Sequence, residues 1–163
     1  MEDLSRLLWC TSQCDFDNWM ESLGDTEPPK GTCVISIIGT PSVLRDYLEE
    51  PETKHFFPDG TPRVLNLEFD DITTDRFTRN GITAVGISNE QASEIVHFLE
   101  WAISKKLGII VHCRAGRSRS QAVVRYVKSR WPGKWKTNPL NPDDTPNYYV
   151  LGKLRENEDL RIT

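Results

Sequence analysis

Apolar and polar positions along this chain fall into two regimes. Short continuous apolar runs bounded by turn residues read as buried strands, and stretches with apolar residues every three or four positions read as helices. Residues 5–11, holding Leu7-Leu8-Trp9-Cys10, form the first apolar run. Over Asp15–Leu23, the residues Phe16, Trp19, Met20 and Leu23 share one helical face, with Asp15 or Asp17 as the cap. A turn-rich loop leads to a second strand, Cys33–Ile38, after which Pro41 sits near the first turn of a short helix, Ser42–Glu50. Pro51, Pro58, Gly60 and Pro62 mark the polar stretch up to Arg63 as loop. Arg63–Phe69 reads as the third strand, ended by Asp70-Asp71, and a long loop runs from there to Ser88.

Ser88-Asn89-Glu90-Gln91 has the pattern of a capping box. The helix it starts has Ala92, Ile95, Val96, Phe98, Leu99 and Ala102 as its apolar face and ends at Lys105-Lys106-Leu107-Gly108. A further strand, from Gly108, and a helix over Ser118–Arg130 follow, and Trp131-Pro132-Gly133 stops that helix. Lys134 to Asp144 reads as loop. Thr145-Pro146, a cap followed by proline at the first helical position, begins the last helix, Asn147–Glu158, which buries Tyr149, Val150 and Leu154. Strands alternating with helices imply an α/β fold, with a mainly parallel sheet of about four to five strands and helices on both faces. The 163 residues fit a single domain, 1–163, with enough chain for a real core.

One junction carries chemistry. The apolar run Gly108-Ile109-Ile110-Val111 leads into His112-Cys113-Arg114-Ala115-Gly116-Arg117-Ser118-Arg119-Ser120, and a helical pattern leads out. A tight loop between strand and helix points successive backbone N–H groups at one spot, at the positive end of a helix, which suits a phosphate-like dianion. Arg114, Ala115, Gly116, Arg117, Ser118 and Arg119 are the candidate phosphate-binding residues. Cys113 opens the loop, and inward amides, the helix dipole and Arg119 all favour its thiolate, a nucleophile toward phosphorus. Arg119 closes the loop with a planar fork that can grip two phosphate oxygens. Gly116 permits backbone angles denied to other residues and leaves room for the anion. Ser120 is placed to donate to the Cys113 sulfur. His112 either holds the loop by a hydrogen bond or is a buried, satisfied histidine.

Charge adds a gradient. The net charge is −4, yet no Asp or Glu occurs from Trp101 to Pro142, so the loop sits in a basic third of an acidic chain. Arg125, Lys128 and Arg130 read as a solvated helix face, and the rest as a field drawing in anions. Cys10, Cys14, Cys33 and Cys113 are the four cysteines. Cys10 and Cys33 read as small apolar residues of buried strands, and the first three lack a fourth ligand at zinc-like spacing. An oxidative bridge between Cys113 and another thiol stays open. With no visible signal peptide and no apolar run long enough to span a bilayer, the chain reads as cytoplasmic, with reduced thiols.

His-Cys-x-x-Gly-x-x-Arg-Ser, complete here at His112, Cys113, Gly116, Arg119 and Ser120, resembles the phosphate loop of the cysteine-dependent protein phosphatases, the tyrosine and dual-specificity superfamily. The resemblance implies a phosphocysteine intermediate at Cys113, transition-state binding by Arg119, and neither metal nor cofactor. By element order it covers most of residues 30–131. Phe69-Asp70-Asp71 resembles the Phe-Asp-Asp of the regenerating-liver phosphatases, in which the second Asp is the general acid. That role falls by resemblance on Asp71, with Asp70 and then Asp75 as alternatives. The spacing from Asp71 to Cys113, 42 positions (113 − 71), is longer than in compact family members, and the loop over 72–87 looks inserted.

The chain's size resembles the dual-specificity group, and no Asn-Arg-Tyr signature for a phosphotyrosine ring is present. Arg114 and Arg117 resemble the cations at those positions in the tensin-homologue lipid phosphatases. The expected activity is hydrolysis of phosphotyrosine and other phosphorylated side chains of proteins. The alternatives are inositol phosphates, phosphoinositides or RNA 5′-phosphates, the one route by which nucleic acid enters. A non-catalytic phosphate-binding module is the reading outside enzymes, and the retention of Cys113, Arg119 and Ser120 argues against it.

Overall fold

The computed structural model describes residues 6–138 and 144–158. Its centre is a five-stranded sheet in the order β3-β2-β6-β1-β7, every neighbouring pair parallel. The strands are β1 (Leu7–Ser12), β2 (Thr32–Ile38), β3 (Val64–Glu68), β6 (Gly108–Cys113) and β7 (Lys136–Thr137). β6 lies in the middle, with Ser12 of β1 opposite Cys113 and Ser36 of β2 opposite His112. All six residues of β6 are buried, as a strand covered on both faces requires.

The alternation along each strand divides the core into two layers. Ile35, Ile37, Ile109 and Val111 face one side and pack with α2 (Asn89–Ser104), α3 (Arg119–Arg130) and α4 (Tyr148–Glu158). Val34 and Ile110 face the other and pack with Phe16 and Met20 of α1 (Gln13–Leu23), and with Phe57 from the loop after β2. This is the expected parallel α/β sheet with helices on both faces.

The local departures have physical causes. Ser12, not Asp15 or Asp17, caps α1: its hydroxyl accepts from the Asp15 amide at 3.1 Å. The helix expected over 42–50 is a single π-helical turn, Val43–Tyr47, in which the Leu48 amide donates to the Val43 carbonyl. α4 begins later than its Thr-Pro signal, because the Asn147 side chain accepts from the amides of Tyr149 and Val150 and is the cap in place of Thr145. Tyr149 is only partly buried, and Leu151 takes its place in the core beside Val150 and Leu154. The Ser88–Gln91 capping box is present as expected, with both reciprocal bonds at 3.0 Å. α2 leaves through a left-handed Lys106 (φ 56°), not through Gly108, which already belongs to β6.

Two stretches expected as loop contain strands. Residues 72–87 hold an antiparallel hairpin, β4 (Arg76–Arg79) and β5 (Ile82–Val85), turning at Asn80-Gly81 with both φ positive. Lys136–Thr137 form β7 beside β1, and the Asn138 side chain extends that edge by bonding both the amide and the carbonyl of Cys10.

Candidate active site

The loop between β6 and α3 takes its shape from where its carbonyls go. The Arg114 carbonyl accepts from the Gln13 amide, that of Gly116 from the Gln121 side chain, that of Arg117 from the Thr145 amide, and that of Ser118 from the amides of Ala122 and Asn147. Each of these carbonyls is bonded to the surroundings, and in a planar trans peptide the following N–H points the opposite way. The backbone of Gly116 and of Ser120 hydrogen-bonds the Cys113 sulfur. Gly116 adopts φ 71°, which glycine tolerates and other residues resist. Its missing side chain makes room not for an anion but for β1, since a Cβ would lie 2.6 Å from the Thr11 carbonyl carbon.

Cys113 lies at the bottom of this loop, 2% exposed. Burial alone would push its thiol up. Arg119, the hydroxyl and amide of Ser120 and the Gly116 backbone outweigh it, so the thiol sits below its ordinary value. Ser120 Oγ is 3.1 Å from Cys113 Sγ. The Arg119 guanidinium is buried and held from behind by Nη1 donating to the Phe69 carbonyl at 2.7 Å, while its Nε has no partner among the described residues. His112 is fully buried, stacked on Phe16 with centroids 4.4 Å apart, and neither ring nitrogen makes a hydrogen bond of good geometry. Burial pushes its imidazole down to about 4, so the ring is neutral. Its ring packs on Phe16 and lies against the Cys113 backbone.

The three candidate acids separate cleanly. Asp70 is 4% exposed, and its carboxylate accepts from the Thr40 amide and hydroxyl and from the Val85 amide, tying the end of β3 to the loop after β2 and to the base of the hairpin. Asp75 is exposed in the turn before β4 and does not line the cleft above Cys113. Asp70 and Asp71 both line that cleft, but Asp71 is exposed where Asp70 is buried and engaged, and its Oδ1 accepts from Ser118 Oγ at 2.8 Å and Asn147 Nδ2 at 2.7 Å. Asn147 also donates to the Ile72 carbonyl, so the cap of α4 holds the Asp71 loop against the phosphate loop.

The cleft has a volume of about 750 Å³. Val43, Leu44, Tyr47 and Leu48 of the π-helical turn form one wall, and Phe77, Ile82 and Ala84 of the hairpin form the other. Two cations of the loop, Arg114 and Arg117, are paired. Arg114 makes a two-pronged pair with Glu50, at 2.7 and 3.2 Å, and Arg117 pairs with Asp144 at 3.2 Å. Arg79, at the hairpin end of the cleft, has no ion pair among the described residues. No group of three or more metal-ligating side chains occurs among the described residues.

Comparison with solved structures places the fold. The Cydia pomonella PTP-2 phosphatase superposes with a TM-score of 0.51 at 15% identity, over 93% of this chain and 85% of that one. The fold is that of the cysteine-dependent phosphatases. The human tyrosine phosphatase-like serine/threonine/tyrosine-interacting protein aligns over 94% of this chain and 88% of its own, at 16% identity and a TM-score of 0.48. Tk-PTP in its active form aligns over 90% and 87%, at 19% identity and a TM-score of 0.40. No protein-family model matches the sequence, and no curated protein matches it.

Within this fold the structure brings Cys113, Arg119 and Asp71 to one cleft with Arg114, Ala115, Arg117 and Ser118, and sets the buried Ser120 against the Cys113 sulfur. Sequence reasoning passed over Asn147, Asp144 and the hairpin. The hairpin had a signal, Asn80-Gly81 between apolar-polar alternations. Asn147 and Asp144 had none, because their partners lie 76 and 27 positions away.

Proposed function

We propose that this protein is a phosphatase that hydrolyses phosphomonoesters of protein side chains, phosphotyrosine foremost, through a phosphocysteine at Cys113. The observation that carries this reading is a buried thiol with a depressed pKa at the floor of a cleft. Arg119 backs it, the Gly116 and Ser120 backbone bonds it, and the Asp71 carboxylate stands on the rim. In the first step the Cys113 thiolate forms a bond to phosphorus while the bond to the ester oxygen breaks, and Asp71 gives its proton to the leaving oxygen. The unpartnered Arg119 Nε and the loop amides take the equatorial oxygens. In the second step a water oxygen bonds to phosphorus as the P–S bond breaks, with the water's proton passing to Asp71. Ser120 donates to the sulfur that leaves.

Two observations favour an aromatic ester over a polyphosphorylated substrate. Arg114 and Arg117, whose positions suggested polyanion binding, are neutralised by Glu50 and Asp144. Apolar side chains, among them Val43, Leu44, Tyr47, Leu48 and Phe77, make up much of the cleft walls, as a site for an aromatic group requires. A panel of phosphotyrosine and phosphoserine peptides, inositol phosphates and 5′-triphosphate RNA tests this. Highest kcat/KM on phosphotyrosine peptides is expected. A preference for inositol phosphates or RNA, reduced selectively by Arg114→Ala with Arg117→Ala, would overturn it. No helix among the described residues is long and apolar enough to cross a membrane. We place the activity in the cytoplasm, in keeping with four free cysteines.

A further inference from the structure

Beneath the phosphate loop lies a second buried thiol. Cys10 is on β1, 5% exposed, and its Sγ is 3.0 Å from Ser120 Oγ. Ser120 is fully buried, and its oxygen therefore sits between two sulfurs, Cys10 at 3.0 Å and Cys113 at 3.1 Å. A hydroxyl has one proton to donate, so only one sulfur can receive it. We propose that Cys10 is a positioning residue that donates its S–H to Ser120 Oγ and so holds the Ser120 proton on Cys113. The proposal rests on Cys113 being the nucleophile.

The order of donors follows from the surroundings. Burial pushes the Cys10 thiol up to about 12, so it stays protonated across the working range and acts as a donor. Cys113, with its lowered pKa, is the acceptor. The chain therefore runs Cys10 S–H to Ser120 O–H to Cys113 S⁻, and each link polarises the next. The rival acceptor for the Cys10 proton, the Gly116 carbonyl, is farther away at 3.4 Å and already takes Gln121 Nε2. Without the Cys10 donor, Ser120 Oγ would lose a buried partner, and its proton would no longer be aimed at Cys113 by a neighbour. The sulfur needs that proton most when it leaves phosphorus, so the effect falls on breakdown of the phosphoenzyme.

Two readouts test this. Alkylation of Cys113 by iodoacetamide across pH, followed at its own peptide by mass spectrometry, reports the thiolate. Stopped-flow with an activated aryl phosphate separates formation of the phosphoenzyme from its breakdown. Cys10→Ala is expected to raise the midpoint of Cys113 alkylation and to slow breakdown roughly three- to tenfold, with little change in formation. Cys10→Val, also without a donor but larger, should do the same, and Cys10→Ser, which keeps a donor, should restore most of the loss. If the alanine variant does not fold, the valine–serine pair carries the comparison. The charged and titratable neighbours of the two thiols, Arg119 and Lys128 on α3, His112 on β6, Asp144 before α4 and Asp70 and Asp71 at the cleft, are unchanged in all three variants.

In a Ser120→Ala background, Cys10→Ala should add nothing. Wild-type midpoints and breakdown rates in both donor-free variants, or losses from Cys10→Ala and Ser120→Ala that multiply, would overturn the proposal. Turnover by Cys113→Ser would instead overturn the reading of the nucleophile on which it stands.

Discussion

The floor and the walls of the cleft are built on different terms. The floor, from Cys113 to Ser120, joins the central strand to a helix in the middle of the core, and four of its carbonyls are bonded to other parts of the chain. Cys113 and Arg119 are 2% and 6% exposed. The walls are the reverse. Tyr47 is 71% exposed and Phe77 53%, all four residues of β4 are exposed, and among the described residues the hairpin strands pair only with each other. Bond making at phosphorus tolerates little displacement, so its groups sit where packing fixes them. Choice among esters requires only a shaped rim, which exposed elements supply.

Perturbing the floor should abolish chemistry, and perturbing the walls should change only preference. The largest effect is expected from Cys113→Ser, a loss of turnover on the order of 10⁴-fold or more with phosphate-analogue binding retained, read by activity and calorimetry. Arg119→Lys should cost about 10²–10³-fold in kcat, because a point charge cannot replace the fork. Near-normal kinetics in that variant would remove Arg119 as the phosphate clamp. Asp71→Asn should slow alkyl phosphates by about 10²–10⁴-fold and activated aryl phosphates mildly, since a stable leaving anion needs no proton. Asp70→Asn should instead lower stability by about 1–3 kcal/mol in urea melts and leave the leaving-group dependence alone. If the two variants exchanged these outcomes, the acid would be the buried neighbour.

The floor also makes stability pH-dependent. His112 titrates near 6.5 when unfolded and is pushed to about 4 by burial. Between these values the unfolded chain binds the extra proton. The stability contributed is therefore complete above about pH 6.5 and is lost as pH falls toward 4, on the order of 3 kcal/mol. Urea midpoints at pH 7 and 4.5 measure this, and equal midpoints would refute it. The smallest effect belongs to the wall. Phe77→Ala should raise KM for phosphotyrosine peptides about three- to tenfold while leaving kcat on a small aryl phosphate near wild type.

Legibility in the sequence followed the same division. The main strands β1, β2, β3 and β6 and the helices α1 to α4 were readable, because buried runs such as Cys33–Ile38 and Gly108–Val111 and the amphipathic stretches between them leave few alternatives in a chain of this composition. The phosphate loop was readable because its residues are consecutive. What was lost depended on partners remote in sequence. Lys136–Thr137 is polar and short and becomes a strand only because β1 offers an open edge. Arg114 and Arg117 looked like free cations until Glu50 and Asp144 were placed beside them. Asn147 reads as one more polar residue at a helix start, and only folding puts it 2.7 Å from Asp71.

The position of β6 between β1 and β2 bears on how the molecule comes into being. β1 and β2 follow one another in the chain but are not neighbours, so an early direct pairing of the two would be non-native. The slot between them stays empty until residues 108–113 leave the ribosome, and until then two apolar strand edges are open to wrong partners. Pairings that span so much chain form slowly. The strand that carries the nucleophile is thus also the keystone of the sheet, and the nascent protein acquires its reactive sulfur in the same event that closes its most vulnerable gap.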